Sequence, residues 1–173
     1  MKPSIQKQTD NIIKAIDALP EQSLTATIFA LNRTAEWLKG HLSKEISAQK
    51  RVKLKLIRDR ISVRRANRKN PQAQLVCRFK SVFVKDLSDV RQTPIGVSAG
   101  GKIYPHAFIA TLQKGGKPGV YRRKTTKRIP VKSVTIPIFD DAVKSIEYLI
   151  GAEASKVFER RFLHEIRKMG RRK

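Results

Sequence analysis

From Glu21 to about Ala48, apolar residues recur every three or four positions: Leu24, Ile28, Leu31, Ala35, Leu38, Leu42 and Ile46. That spacing predicts an α-helix with one buried stripe, roughly 40 Å long at about 1.5 Å per residue. The stripe extends over only about three heptads, which suits a packed core helix better than a coiled coil. Pro20 precedes it where a helix can start, and Gly40 marks a point where it can bend. Trp37 lies beside the stripe as a flank of the core, with an interface anchor as the alternative. Upstream, Ser4 to Leu19 carries Ile5, Ile12, Ile13 and Ile16, the pattern of a short amphipathic helix.

The period then changes. Val52 to Asp59 predicts a short helix, after which Ile61 and Val63 alternate with polar residues. "NRKNPQ" is a turn signal. From Gln72 to Phe79, Ala73, Leu75, Cys77 and Phe79 fall on one face, and Gln74, Val76 and Arg78 on the other. The expectation is a hairpin with an apolar and a basic face, and Cys77 acting as a small buried hydrophobe. Between Ser81 and Ile138, "SVFV", "IGVSA", "AFIATL", "GVYRR" and "VKSVTI" read as strands. "SDVRQTP", "GGK", "KGGKPG" and "KRIP" read as breakers between them, giving one antiparallel sheet with mobile loops. Asp140 is the expected N-cap of a last helix, with Asp141 in its first turn. Val143, Ile146, Leu149 and Ile150 form its stripe, continued by Val157, Phe158, Phe162, Ile166 and Met169 past an expected kink near Gly151. The class is α+β, with long N-terminal helices, a central antiparallel sheet and a C-terminal helix.

Composition narrows what such a fold can do. A chain of 173 residues, 40% of them hydrophobic, can build one real core. No apolar run reaches the ~18 residues of a membrane span, and "MKPSIQKQTD" lacks the apolar stretch of a signal peptide. Synthesis in the cytoplasm is the default expectation. The single cysteine excludes an internal disulfide framework, and His41, His106 and His164 form no ligand motif. A net charge of +24 points to polyanionic partners: nucleic acid or acidic protein surfaces, ahead of a membrane surface. Aromatics at 6% argue against a single-strand binder that stacks bases.

"GVSAGGKI", residues 96–103, imitates a phosphate loop through Gly96, Gly101 and Lys102. A working loop joins a buried strand to a helix N-terminus, whose free N–H groups face the phosphates. Here Ile103 replaces the hydroxyl that would hold Mg²⁺, and Pro105 disfavours a helical Tyr104. The expectation is a hairpin turned at Gly100 and Gly101. No Ser, Cys or His sits in a nucleophile motif, and Asp140 and Asp141 are explained by capping.

The order of short motifs adds a further reading. "ALNRTA" is followed by "RVKLKLIRDRI", "RANRKNPQAQLVCRF", "RQTPIGVSAGGKIYPHAFIATLQKGGKPGVYRR" and "KRIPVKSVTIPI". Together, from roughly Ser23 to the end, they resemble the prophage minor tail protein Z family, tail-completion proteins of lambda-like siphophages. The resemblance implies a structural, non-enzymatic role late in tail assembly, at the head-proximal end of the virion tail where DNA enters the channel. It implies other tail and neck proteins as partners and a homo-oligomeric ring, with no catalytic, cofactor-binding or metal-ligating residues. It divides the chain into an N-terminal helical segment, 1–20, and one α+β domain, 21–173. Candidate contacts to DNA or to acidic partners are Arg64, Arg65, Arg68, Lys69, Arg78, Arg122, Arg123, Lys124, Lys127 and Arg128, with Arg171, Arg172 and Lys173 at the C-terminus. A free basic nucleic-acid-binding protein of ribosomal or nucleoid type is the alternative, and a solvated basic surface is the plainest reading of any one of these charges.

Overall fold

The computed structural model describes residues 20–79, 81–112 and 114–170. The amphipathic segment 4–19 and the cations at 171–173 lie outside them. The architecture is α+β, as the periodicities predict. Helix α1 spans Pro20–Lys50 and α2 spans Leu54–Arg58. Ten short strands follow: β1 Ile61–Arg64, β2 Gln74–Cys77, β3 Val82–Phe83, β4 Arg91–Thr93, β5 Gly96–Ala99, β6 Lys102–Pro105, β7 Ala107–Ala110, β8 Gly119–Arg123, β9 Val131–Ser133 and β10 Thr135–Ile136. Helix α3, Phe139–Leu149, passes through a π-helical turn at Ile150–Ala154 into α4, Ser155–Gly170. The hairpin β1-β2 is a sheet of its own, as expected, and the later strands form three small antiparallel sheets instead of the expected single one, ordered β10-β3, β4-β5-β6 and β7-β8-β9. "RQT", expected as a breaker, is strand β4, and "KIYP" is strand β6. Both are short strands that hairpin neighbours hold in place, which propensity alone does not register.

The chain divides into two compact units. The first contains residues 20–42, 61–77 and 146–170. Its core sits where Phe162 of α4 meets Ala26 and Ala30 of α1, with Phe158, Leu163, Ile166 and Met169 packed around them. Small residues on α1 admit the large ring of α4, so the contact face there runs through Ala26 and Ala30. Leu24, expected in the stripe, is 40% exposed, whereas Ala35 and Leu42 are buried as expected. The helix is continuous through Gly40. Trp37 is half-buried, its ring 4.1 Å from that of His41.

In the hairpin β1-β2, Ile61 opposes Cys77 and Val63 opposes Leu75. The register puts Ile61, Val63, Leu75 and Cys77 on one face and Val76 on the other, and Gln74 and Arg78 are exposed, as the alternation requires. Cys77 is half-buried and burial pushes its thiol pKa up, which suits a packing residue and not a nucleophile. It lines an apolar cavity of about 420 Å³ with Leu38, Leu42, Leu75, Ile146, Leu149 and Ile150. Asn67 closes the turn: its Oδ1 accepts from the N–H groups of Lys69 and Asn70, at 3.0 and 2.8 Å. Asn32 anchors the strand end to α1. Its Nδ2 donates to the Ala66 carbonyl at 3.0 Å and its Oδ1 accepts from the Ala66 N–H at 2.7 Å.

The second unit contains residues 43–60 and 78–145. Ile46, Ile57, Val82, Val84, Val97, Ala99, Ile138 and Ala142 are fully buried in it. The last turns of α1 are tied to α3 by polar contacts: the buried Ser145 donates to Glu45 Oε1 at 2.9 Å, and Lys50 pairs with Asp141 at 2.5 Å. Helix α3 starts at Phe139, two residues earlier than expected, so Asp140 is not the N-cap and lies with Asp141 in the first turn. The expected break near Gly151 is the π turn, inside a helical stretch that continues to Gly170.

Candidate interaction surfaces

The segment that imitates a phosphate loop is a β-hairpin. Strands β5 and β6 pair from Gly96↔Pro105 to Ala99↔Lys102, and the turn residues Gly100 and Gly101 have φ of 56° and 76°. Two successive left-handed residues make a two-residue turn that matches strand twist. Gly96 is required for close approach: a Cβ there would lie 2.1 Å from the Tyr104 carbonyl oxygen. Lys102 leads into a strand, so no helix N-terminus is present to hold a phosphate.

The basic candidates fall into two groups, one in each unit. In the first unit, Arg64, Arg65, Arg68 and Lys69 are exposed at the end of β1 and in the turn that follows. Arg65 is partly committed, its Nη2 3.1 Å from Glu36 Oε1, with both side chains exposed. Close by, Phe29, Asn32, Arg33, Glu36, Trp37, Arg65 and Arg161 line an open cleft. Arg161 carries no motif that marks it in the sequence, whereas Arg33 lies in "ALNRTA". Arg33 pairs with Glu165, a carboxylate only 5% exposed. A charge in that position is held by its partner, so Arg33 is a structural cation.

In the second unit, Arg78 is exposed just after β2. Arg122 and Arg123 end β8, and Lys124, Lys127 and Arg128 occupy the exposed loop before β9. The Arg123 guanidinium lies 5.9 Å from the centre of the Phe108 ring. Arg122 opposes Ala107 across the β7-β8 ladder and is half-buried. Its Nε is buried without a hydrogen-bond partner among the described residues. Arg122, Arg123 and Lys124 line an open groove of about 1010 Å³, and Pro94, Ile95, Pro105 and Phe108 supply apolar lining.

Gln92, in the segment read as a breaker, organises this groove. Its Nε2 donates to the Gly96 carbonyl at 2.8 Å and the Ala107 carbonyl at 3.3 Å, and its Oε1 accepts from the Ile109 N–H at 2.9 Å. One carboxamide thereby fills the edge of β7 as a neighbouring strand would. A signal was available: Gln92 sits in the "RQT" motif, next to Thr93, whose hydroxyl also donates to the Gly96 carbonyl. No helix among the described residues is long and apolar enough to cross a membrane.

The surface thus offers exposed cations on hairpin ends, a groove with mixed basic and apolar lining, and small sheets pinned by side-chain amides. No curated protein and no solved structure matched the chain. A family model did: the one described as prophage minor tail protein Z (GPZ) matches residues 7–172. With nearly the whole chain matched, the protein belongs to the prophage minor tail protein Z family, and it is a structural component of a phage tail, not an enzyme.

Proposed function

We propose that this tail protein acts at the head-proximal end of the tail, completing the tail–head junction around the path of the DNA. The observation that carries the proposal is a net charge of +24 on a member of a structural tail family. A polyanion passing through the channel, or acidic faces of neighbouring tail and neck proteins, would meet Arg64, Arg68 and Lys69 in one unit and Arg123, Lys124, Lys127 and Arg128 in the other. All seven are exposed. Contacts of this kind hold phosphates without reading sequence. In the virion the protein forms a homo-oligomeric ring, residues 21–173 act as one domain, and 1–20 are a separate segment. Tyr148 and Ile150 are 62% and 55% exposed, apolar surface that a neighbouring copy can cover. Arg171, Arg172 and Lys173, outside the described residues, add cations that favour incorporation or DNA entry.

The test is a phage lacking this protein, and one whose protein ends before Gly170. Both should make tails of normal length seen by electron microscopy, with infectious titre reduced by orders of magnitude in the null and less in the truncation. Null lysates without tails, or with tails of irregular length, would instead assign the protein to tube initiation or length control. Full infectivity of the null would remove the completion role.

A further inference from the structure

The groove of the second unit carries an inference that deepens the partner proposal above and rests on that reading. Three of its lining residues are cations, Arg122, Arg123 and Lys124, and no lining residue is acidic. The lining also includes apolar side chains open to solvent, with Ile95 62% exposed. Arg122 brings a buried Nε–H that no described residue accepts. A buried donor without an acceptor has lost its water and gained nothing in return. What the groove itself offers is the rest of the Arg122 guanidinium, a planar charged fork suited to a carboxylate.

We propose that this groove binds an acidic, partly apolar peptide segment of another tail protein, with a carboxylate on Arg122 and Arg123 and an apolar side chain against Ile95 and Pro94. Two features favour peptide over nucleic acid. A duplex presents phosphates on a convex cylinder and draws no benefit from exposed Ile95, Pro94 and Pro105. A single strand needs free aromatic faces, whereas Phe108, the one phenyl ring in the lining, is approached by the Arg123 guanidinium. The edge of β7 is already filled by Gln92, so side chains, and not strand addition, supply the recognition.

Fluorescence anisotropy of the full chain tests this with two labelled probes, a short peptide alternating glutamate and valine and its glutamine counterpart. The glutamate peptide should saturate and the glutamine peptide should bind at least about tenfold more weakly. Ile95→Asp and Arg122→Lys should each weaken the glutamate peptide about tenfold, the first by repulsion and the second by losing the planar guanidinium fork with charge kept. Neutralising Arg64, Arg65, Arg68 and Lys69 together should change it by less than about twofold. Ile95 is on the surface, so its variant keeps the fold, and melting curves verify this. Equal binding of the two peptides, or an unchanged affinity in Ile95→Asp, overturns the proposal. So does a short duplex DNA whose affinity falls in parallel with the peptide's in Ile95→Asp, which would make the groove a nucleic-acid site. The null-phage phenotype is read separately: a protein placed elsewhere in the tail could still bind this peptide, and a head-proximal protein could fail to.

Discussion

Single residues decide how the helices and hairpins are held. Asn32 lies inside α1, where an asparagine is a poor helix former, and it recovers that cost through two hydrogen bonds to Ala66. Asn32→Ala leaves both backbone groups unpaired and should destabilise the protein by about 1–3 kcal/mol. Phe162→Ala, emptying the space against Ala26 and Ala30, should cost about 3–5 kcal/mol. Chemical denaturation of both variants measures these values, and neutral results would remove the two residues from the core account. A third residue sets an acid response. The hydrogen bond from Lys50 holds the Asp141 carboxyl below its ordinary value of 3.8, with burial opposing and charge attraction adding. A pKa lowered on folding stabilises the protein above the unfolded value, and that stability is lost as pH falls through the folded value. The pair is partly exposed, so the effect is at most about 1 kcal/mol. Melting temperature should therefore fall less steeply in Asp141→Asn than in wild type as pH is lowered from about 5 to about 3. Parallel curves for the two proteins would show the pair to be inert.

At the scale of elements, glycine placement separates turn from close approach. Gly96→Ala drives a methyl into the Tyr104 carbonyl, which belongs to backbone and cannot swing aside. Gly101→Ala meets the Arg51 guanidinium at 2.3 Å, a flexible side chain that can move, at a conformational cost of about 1 kcal/mol. Thermal melts should rank Gly96→Ala clearly below Gly101→Ala, and the reverse order would mean that turn conformation dominates. Much of this level is legible in the sequence. The stripe of α1, the alternation around Leu75 and Cys77, the Gly100-Gly101 turn and the interruption near Gly151 all follow from periods and breakers. The contact face near the start of α1 does not, because Ala26 and Ala30 carry little apolar signal until Phe162 is known to lie against them. Strand β4 escapes a sequence reading because a three-residue strand is defined by its partner, and β6 is implied only by the turn before it. The groove escapes it for a related reason: Gln92, Ile95 and Arg122 converge only through tertiary pairing, while the charge of Arg122 to Lys124 is visible as composition.

For the whole molecule, charge and family membership act together. Exposed basic side chains on two separate units suit non-specific binding to a polyanion, with counterion release making it steeply salt-dependent. Purified protein should bind duplex DNA weakly and without sequence preference. Neutralising Arg64, Arg65, Arg68 and Lys69 should flatten the salt dependence, by a log–log slope of up to about 0.9 for each phosphate no longer neutralised. An unchanged slope would show that this turn does not face phosphate, and strong sequence preference would point towards a regulator. The position of the protein in the particle is the central claim, and electron cryomicroscopy of the intact virion tests it most directly. The account predicts a ring of density at the head-proximal end of the tail into which this fold docks, with basic side chains on its channel or neighbour-facing surfaces. Density for the chain at the distal tip, or repeated along the tube, would contradict it.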